Sequence, residues 1–193
     1  MTNTDIKRIG IHECCHAVLA RLFRRKMAIE GIFVSRELVE KRQDQGALNL
    51  RGPSLNSEQD YIALAITYLA GVVGENMYLL GVGAIKEKKE EILADDKIMD
   101  WSTAGGDLPS FHHVAQLYSL FYQNDEKALK EFSLGFLIDF LSDKKIWSIV
   151  EKLCHELIEK EDLKMSEDEL DSFFGQIGSD ELLDNKCDEI QKE

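Results

Sequence analysis

The 193-residue sequence has only two prolines, Pro53 and Pro109. Proline lacks a backbone N–H and breaks helix interiors, so its scarcity leaves room for long uninterrupted helices. Clusters of turn-forming residues are also few after Pro53. A chain of this length is large enough for one well-formed hydrophobic core.

Cysteine is scarce as well, with four residues at Cys14, Cys15, Cys154 and Cys187. Two are adjacent and no C-x-x-C pair occurs, so the sequence indicates reduced cysteines and not a disulfide framework. The segment MTNTDIKRIG, at residues 1–10, lacks the apolar core of a secretory signal. No run approaches the roughly 18 apolar residues of a membrane span. We therefore expect a cytoplasmic protein with no membrane span.

Basic residues are outnumbered, with 23 Lys and Arg against 36 Asp and Glu and a formal net charge of -13. A field of this sign repels phosphate backbones. No nucleic-acid partner is expected.

Helical periodicity dominates the sequence, with one short β region near the N-terminus. Residues 4–24 are predicted to form a helix, and 28–35 are rich in β-branched and aromatic residues and indicate a strand. Residues 46–52 alternate apolar and polar side chains and could pair with that strand. Further helices are predicted at 57–81, 84–101, 108–124, 126–142, 143–161 and 168–174, with capping boxes of Ser57 with Asp60 and of Ser166 with Glu169. The predicted fold is mainly α (α+β), with a small N-terminal β-hairpin or sheet.

These elements indicate a single domain over residues 1–178. The charged segment 84–101 is predicted to be a helical, exposed insertion. Residues 179–193 are acidic and polar, and they are predicted to form a flexible tail.

The segment IGIHECCHAVLARL, Ile9–Leu22, contains two histidines four residues apart. On a helix, His12 and His16 project from one face, where two imidazole nitrogens can meet one zinc ion at about 2.0–2.1 Å. Glu13 lies one step round the helix, where it can take a proton from a water on the metal. The alternative is a pair of ordinary helix histidines, but the apolar surroundings favour zinc.

Three segments together, HECCH, YLAGVVGEN and STAGGDLPSFHHVA, resemble the peptidase domain of the FtsH family of ATP-dependent zinc metalloproteases. That family has HEAGH, LAGRAAEE and STGA-ND-L, in the same order and at similar spacing. The resemblance covers roughly residues 5–175. It implies a helical zinc-metallopeptidase domain.

The resemblance also implies roles for individual residues. His12 and His16 match the zinc histidines, Glu13 matches the catalytic base, and Asp107 matches the aspartate that supplies the third zinc ligand. Without the resemblance, an aspartate at that place would simply be the N-cap of the next helix. Glu75 matches the first glutamate of the second motif, and we expect it to accept a hydrogen bond from a ligand histidine. It is also the alternative third ligand.

The sequence departs from the family in several places. Cys15 replaces a glycine and Cys14 an alanine within the first motif, and the residues before Asp107 are altered. His112 and His113 are additional; we expect them on a helix surface, although either could compete as a ligand. Neither transmembrane segments nor a GxxxxGK[ST] phosphate loop occur in the 193 residues, so the chain resembles the peptidase part alone.

The predicted function is that of a zinc-dependent metalloendopeptidase that hydrolyses peptides or unfolded protein segments, ATP-independent by itself. An extended substrate could add as a strand beside residues 46–50, or that strand could simply be a solvated hairpin arm. A homo-oligomer and a separate ATPase partner are both compatible with the sequence. The alternative function is a catalytically weak or inactive relative that acts as a binding or regulatory protein. A purely structural zinc site is disfavoured, because it would not need Glu13.

Overall fold

A computed structural model describes residues 3–35, 46–51, 55–94 and 106–190. Within these ranges the chain is mainly α-helical with one small antiparallel sheet, so the predicted fold class is confirmed. The elements are α1 (Asn3–Leu22), β1 (Ala28–Val34), β2 (Gly46–Arg51), α2 (Glu58–Leu80), α3 (Val82–Glu87), α4 (Lys89–Ala94), α5 (Asp107–Tyr122), α6 (Glu126–Leu141), α7 (Lys144–Glu159), β3 (Lys164–Ser166), α8 (Glu167–Gln176) and α9 (Ser179–Ile190).

Helices α1 and α2 pack against each other at the centre of the protein. All of residues 9–20 are buried, because α1 also contacts α7 and the sheet, and α2 contacts α5 and α6 on its other sides. A helix surrounded in this way must be apolar on nearly every face, as the sequence of α2 is. By length and mean hydropathy (1.4) α2 is the one described helix that could cross a membrane, but 78% of that apolar window is buried inside the protein.

The start of α2 is fixed as the sequence predicts. The carboxylate of Asp60 accepts hydrogen bonds from the backbone N–H groups of Ser57 at 2.9 Å and Asn56 at 3.1 Å. Lys26 also pairs with Asp60 at 2.6 Å, which ties the end of the α1 region to the first turn of α2. The capping contacts fix the residue at which α2 begins.

The sheet has three antiparallel strands in the order β2-β1-β3. β1 and β2 form the predicted hairpin, with Ile32 opposite Leu48 and Val34 opposite Gly46. β3 was not predicted, because three residues are too short to show an alternating pattern. It pairs with β1 through Met165 opposite Ile32, and so joins the C-terminal part of the chain to the N-terminal hairpin.

The expectation of a frayed tail after Gly178 is not met, because residues 179–190 form α9. Its Leu183 is fully buried, and Asp180 forms a hydrogen-bonded ion pair with Arg21 at 2.9 Å. Asp184 pairs with Arg24 at 2.7 Å. Some of the acidic residues that suggested a solvated tail therefore form ion pairs with the arginines at and just after the end of α1.

The charged segment after Gly81 also differs from its predicted form. It contains two short helices, α3 and α4, and both contact α6. Ile85 and Ile92 are buried and anchor these helices to the core, whereas most of the other side chains in residues 84–94 are exposed, as predicted. The rest of that segment, residues 95–101, lies outside the described residues, as do residues 36–45, Pro53, and residues 102–105 of the third motif.

Candidate metal centre

The two histidines of the first motif face α2 and are almost completely buried. His12 and His16 are one helical turn apart on α1 and have exposed fractions of 7% and 4%. Opposite them on α2 is Gly71, where an added Cβ would collide with the Nε2 atoms of both rings. Only a glycine lets the two helices approach closely enough to enclose both imidazoles.

The ligand atoms of three residues converge at this point. His12 Nε2 lies 3.1 Å from His16 Nε2, and Asp107 Oδ2 lies 2.8 Å from the first and 3.0 Å from the second. In a tetrahedral zinc site, bonds of about 2.0–2.1 Å separate neighbouring ligand atoms by roughly 3.3–3.4 Å. The observed triangle therefore needs to expand by only a few tenths of an ångström to hold an ion. Within the described ranges, these residues form the one group of this kind.

Asp107 reaches the histidines from the first residue of α5. The position before the helix is Gly106, and the Asp107 carboxylate bonds to the two imidazoles and makes no side-chain cap. Burial raises the pKa of Asp107, but the neighbouring His16 and His12 outweigh burial and hold that pKa below its ordinary value. The carboxylate is therefore ionised and directed at the histidine nitrogens.

The other nitrogen of each ring is also engaged. His16 Nδ1 donates to the carbonyl oxygen of Thr67 at 2.6 Å, and His12 Nδ1 donates to Glu75 Oε2 at 3.1 Å. With protons held on Nδ1, Nε2 is the nitrogen through which each ring can bind a cation. Glu75 bonds to His12 on the side of the ring away from the cluster, so it cannot share a metal ion with that Nε2.

Glu13 lies between the two histidines in sequence and is 5% exposed. No hydrogen bond or ion pair to its carboxylate occurs among the residues that the structure describes. Burial raises the pKa of Glu13, and the nearby His12 and His16 only partly oppose that shift. A buried carboxylate without a fixed partner is unusual unless it serves a reaction, because burial of the charge carries a large free-energy cost.

The electrostatics of the cluster favour a cation. Burial lowers the pKa of His12, but hydrogen bonds to Asp107 and Glu75 and the nearby charge of Glu13 more than offset it and raise that pKa to about 10. Without a metal, the surrounding carboxylates therefore keep a proton on the ring. A divalent cation at the three ligand atoms would compensate the negative charge of the same carboxylates. The residues present therefore fit a bound metal ion.

The remaining predicted residues lie outside the cluster. His112 and His113 are on the exposed side of α5 and are not part of the ligand group. The sulfur of Cys15 lies against Gly74 of α2, where an added Cβ would overlap it. Burial raises the pKa of the Cys15 thiol, which therefore stays protonated and is not a metal ligand.

Sequence analysis missed several residues that shape the centre. Arg8, whose Nη1 donates to Glu75 Oε1, is one helical turn before His12, but its pairing with a residue 67 positions away has no local sequence signal. Gly71 and Gly74 are recognisable only once α2 is known to lie against α1. The carbonyl of Thr67 has no sequence signal, because any residue supplies the same backbone group.

No model of a known protein family matches the chain, and no curated protein matches it. The convergence of His12, His16 and Asp107, with Glu13 beside them, is therefore the observation on which a function is proposed.

Proposed function

We propose that the chain is a zinc-dependent metallopeptidase of the HExxH type, with an active site like that of the FtsH peptidase domain it resembles. His12, His16 and Asp107 hold the zinc, and Glu13 is the general base. What supports this most is the triangle of Nε2, Nε2 and Oδ2 atoms, with both Nδ1 atoms already bonded elsewhere.

Zinc is favoured over other metals because of Glu13. Two imidazoles and one carboxylate also suit Fe²⁺ in oxygenases, so the ligand set alone does not choose the metal. Oxygen chemistry has no use for a buried carboxylate one residue after a ligand, whereas hydrolysis needs a base at that place. Three protein ligands among the described residues also match a catalytic zinc site, which keeps a fourth position open.

Each residue of the site has a separate role in the proposed hydrolysis. Zinc, when bound, would acidify a water molecule and polarise the carbonyl of the scissile peptide bond. Glu13 accepts the proton of the attacking water and returns it to the leaving amine, a task suited to a carboxylate with a raised pKa. Glu75 and Thr67 fix the orientation of the two imidazoles.

The substrates proposed are peptides and unfolded protein segments. An extended chain can add to the sheet through main-chain hydrogen bonds, and β2 occupies one edge of the strand order. This mode of binding requires a substrate without its own secondary structure at the cleaved bond.

The test compares the metal content and peptide cleavage of the wild type with those of Glu13→Gln. We expect about one zinc per chain in both proteins. We expect cleavage to fall by on the order of 10²–10⁴ in Glu13→Gln, because glutamine cannot accept the proton. Asp107→Ala is expected to lose zinc, whereas Glu75→Ala should keep part of it, since Glu75 only supports His12.

Equal cleavage by wild type and Glu13→Gln would remove the proposed mechanism. Full zinc content in Asp107→Ala with loss in Glu75→Ala would reverse the ligand assignment. Bound iron would point to oxygen chemistry. Zinc binding without cleavage of a broad peptide library would favour the binding or regulatory protein.

A further inference from the structure

Arg8 lies on α1 one helical turn before His12 and forms an ion pair with Glu75 of α2. The side chain of Glu75 is 2% exposed and that of Arg8 is 22% exposed. The arginine therefore brings its charge from near the surface to a carboxylate that solvent does not reach.

The two oxygens of Glu75 have different partners. Oε1 accepts from Arg8 Nη1, and Oε2 accepts from His12 Nδ1. On the other side of the imidazole, His12 Nε2 faces Asp107 Oδ2 at 2.8 Å. Arg8, Glu75, His12 and the ligand triangle thus form one continuous chain of charged hydrogen bonds.

This arrangement explains how a buried glutamate can support the histidine. A buried carboxylate is costly unless it is paired and hydrogen-bonded, and removal of one partner leaves the other uncompensated. The planar guanidinium also restricts where the carboxylate can lie, since its donors are held in a rigid fork. An oriented Glu75 in turn fixes the plane of the His12 ring.

We propose that Arg8 is a positioning residue of the metal centre, acting through Glu75 to hold His12 in its metal-binding orientation. This inference rests on the metal site of the proposed function, but not on peptide hydrolysis. If the Arg8–Glu75 ion pair only joined α1 to α2, it would stabilise the fold and leave the zinc affinity of the folded protein unchanged. The two roles therefore differ in a measurable quantity.

Lys7 provides a matched control. It is exposed on the same turn of α1, and its ammonium group lies 5.6 Å from the centre of the Tyr78 ring. Lys7→Met removes the same charge, one residue away, from a side chain with no contact to Glu75 among the described residues. A general loss of positive charge near the site would affect both variants equally.

The experiment measures Zn²⁺ affinity by competition with a chromophoric chelator, at one neutral pH, for proteins whose folding is checked by circular dichroism. Loss of a group that orients a metal ligand typically weakens binding by about 10–100-fold. We expect Arg8→Met to fall in that range and Lys7→Met to bind as the wild type does. Arg8→Lys is expected to recover part of the affinity, because it keeps the charge but not the fork.

The decisive comparison is made in a Glu75→Gln background. A neutral glutamine can still accept from His12 Nδ1 and needs no counter-charge, so adding Arg8→Met should change zinc affinity little. This double variant also serves if Arg8→Met alone does not fold, because it leaves no unpaired buried carboxylate.

Unchanged zinc affinity in folded Arg8→Met would overturn this inference and leave the proposed function standing. A full loss of affinity on adding Arg8→Met to Glu75→Gln would overturn it as well, since Arg8 would then act by another route. Failure of the wild type to bind zinc would overturn both.

Discussion

At the scale of single residues, the centre depends on how each histidine uses its two nitrogens. In His12 the Nδ1 atom is bonded to Glu75, and Nε2 faces Asp107. The ring lies between two carboxylates and binds a proton more tightly than a free imidazole does, with a pKa raised to about 10 from 6.5. Metal binding and protonation therefore compete for the same nitrogen.

This competition predicts how the stability of the metal-free protein changes with pH. The folded-state pKa of His12 lies above its unfolded value, so its stabilisation is complete below about pH 6.5 and is lost as pH rises toward 10. The free energy of unfolding by urea should thus fall across this window more in the metal-free wild type than in His12→Gln. Zinc-saturated wild type should lack this component, because the ion replaces the proton. Parallel declines in the metal-free wild type and His12→Gln would contradict the prediction.

At the scale of elements, α1 and α2 lie so close together that the side chain of Cys15, within the HECCH motif, needs space on α2. The FtsH pattern has glycine where this chain has Cys15, and alanine where this chain has Gly74. In the structure the Cys15 sulfur occupies the place that a side chain at 74 would need. Compared with that pattern, the larger residue of the pair is on α1 and the glycine is on α2, so the two helices can stay close while Gly71 still meets both imidazoles.

A double-mutant cycle tests this exchange. Gly74→Ala alone should destabilise the protein by about 1–3 kcal/mol, the usual cost of overpacking a core. Adding Cys15→Gly should recover much of that loss, although glycine within a helix itself costs about 1 kcal/mol. Chemical denaturation should therefore give a coupling energy within the roughly 0.5–3 kcal/mol range of contacting residues.

The control for this cycle is Gly83→Ala in α3, where an added Cβ would meet no atom within 4 Å. It should be neutral or slightly stabilising, since alanine favours a helix over glycine. If the effects of Cys15→Gly and Gly74→Ala simply add, the exchange is not compensatory. The presence of Cys15 in the HECCH motif would then need another explanation.

At the scale of the whole molecule, the features that could be predicted were those that depend on residues close together in the sequence. Helical spacing placed His12 and His16 on one face, and the resemblance to a family singled out Asp107, which starts the helix that reaches them. β3 and α9 were missed, because a three-residue strand and an acidic helix acquire their structure from partners far away in the chain. The Arg8–Glu75 pair joins residues 67 positions apart, which no local pattern reveals.

If the chain is the proposed peptidase, its cleavage of a protein should depend on whether that protein is folded. Folded domains with stabilities of roughly 5–15 kcal/mol open too rarely to present an extended segment. No GxxxxGK[ST] motif occurs in the 193 residues, so we expect the purified chain to cleave a casein-like unfolded protein with or without ATP. A compact domain should stay intact, and a zinc chelator should stop cleavage.

The measurement follows one substrate, folded and unfolded, by gel electrophoresis under each condition. ATP-stimulated degradation of the folded form by this chain alone would contradict the prediction, whereas stimulation only after a second protein is added would indicate a separate ATPase partner.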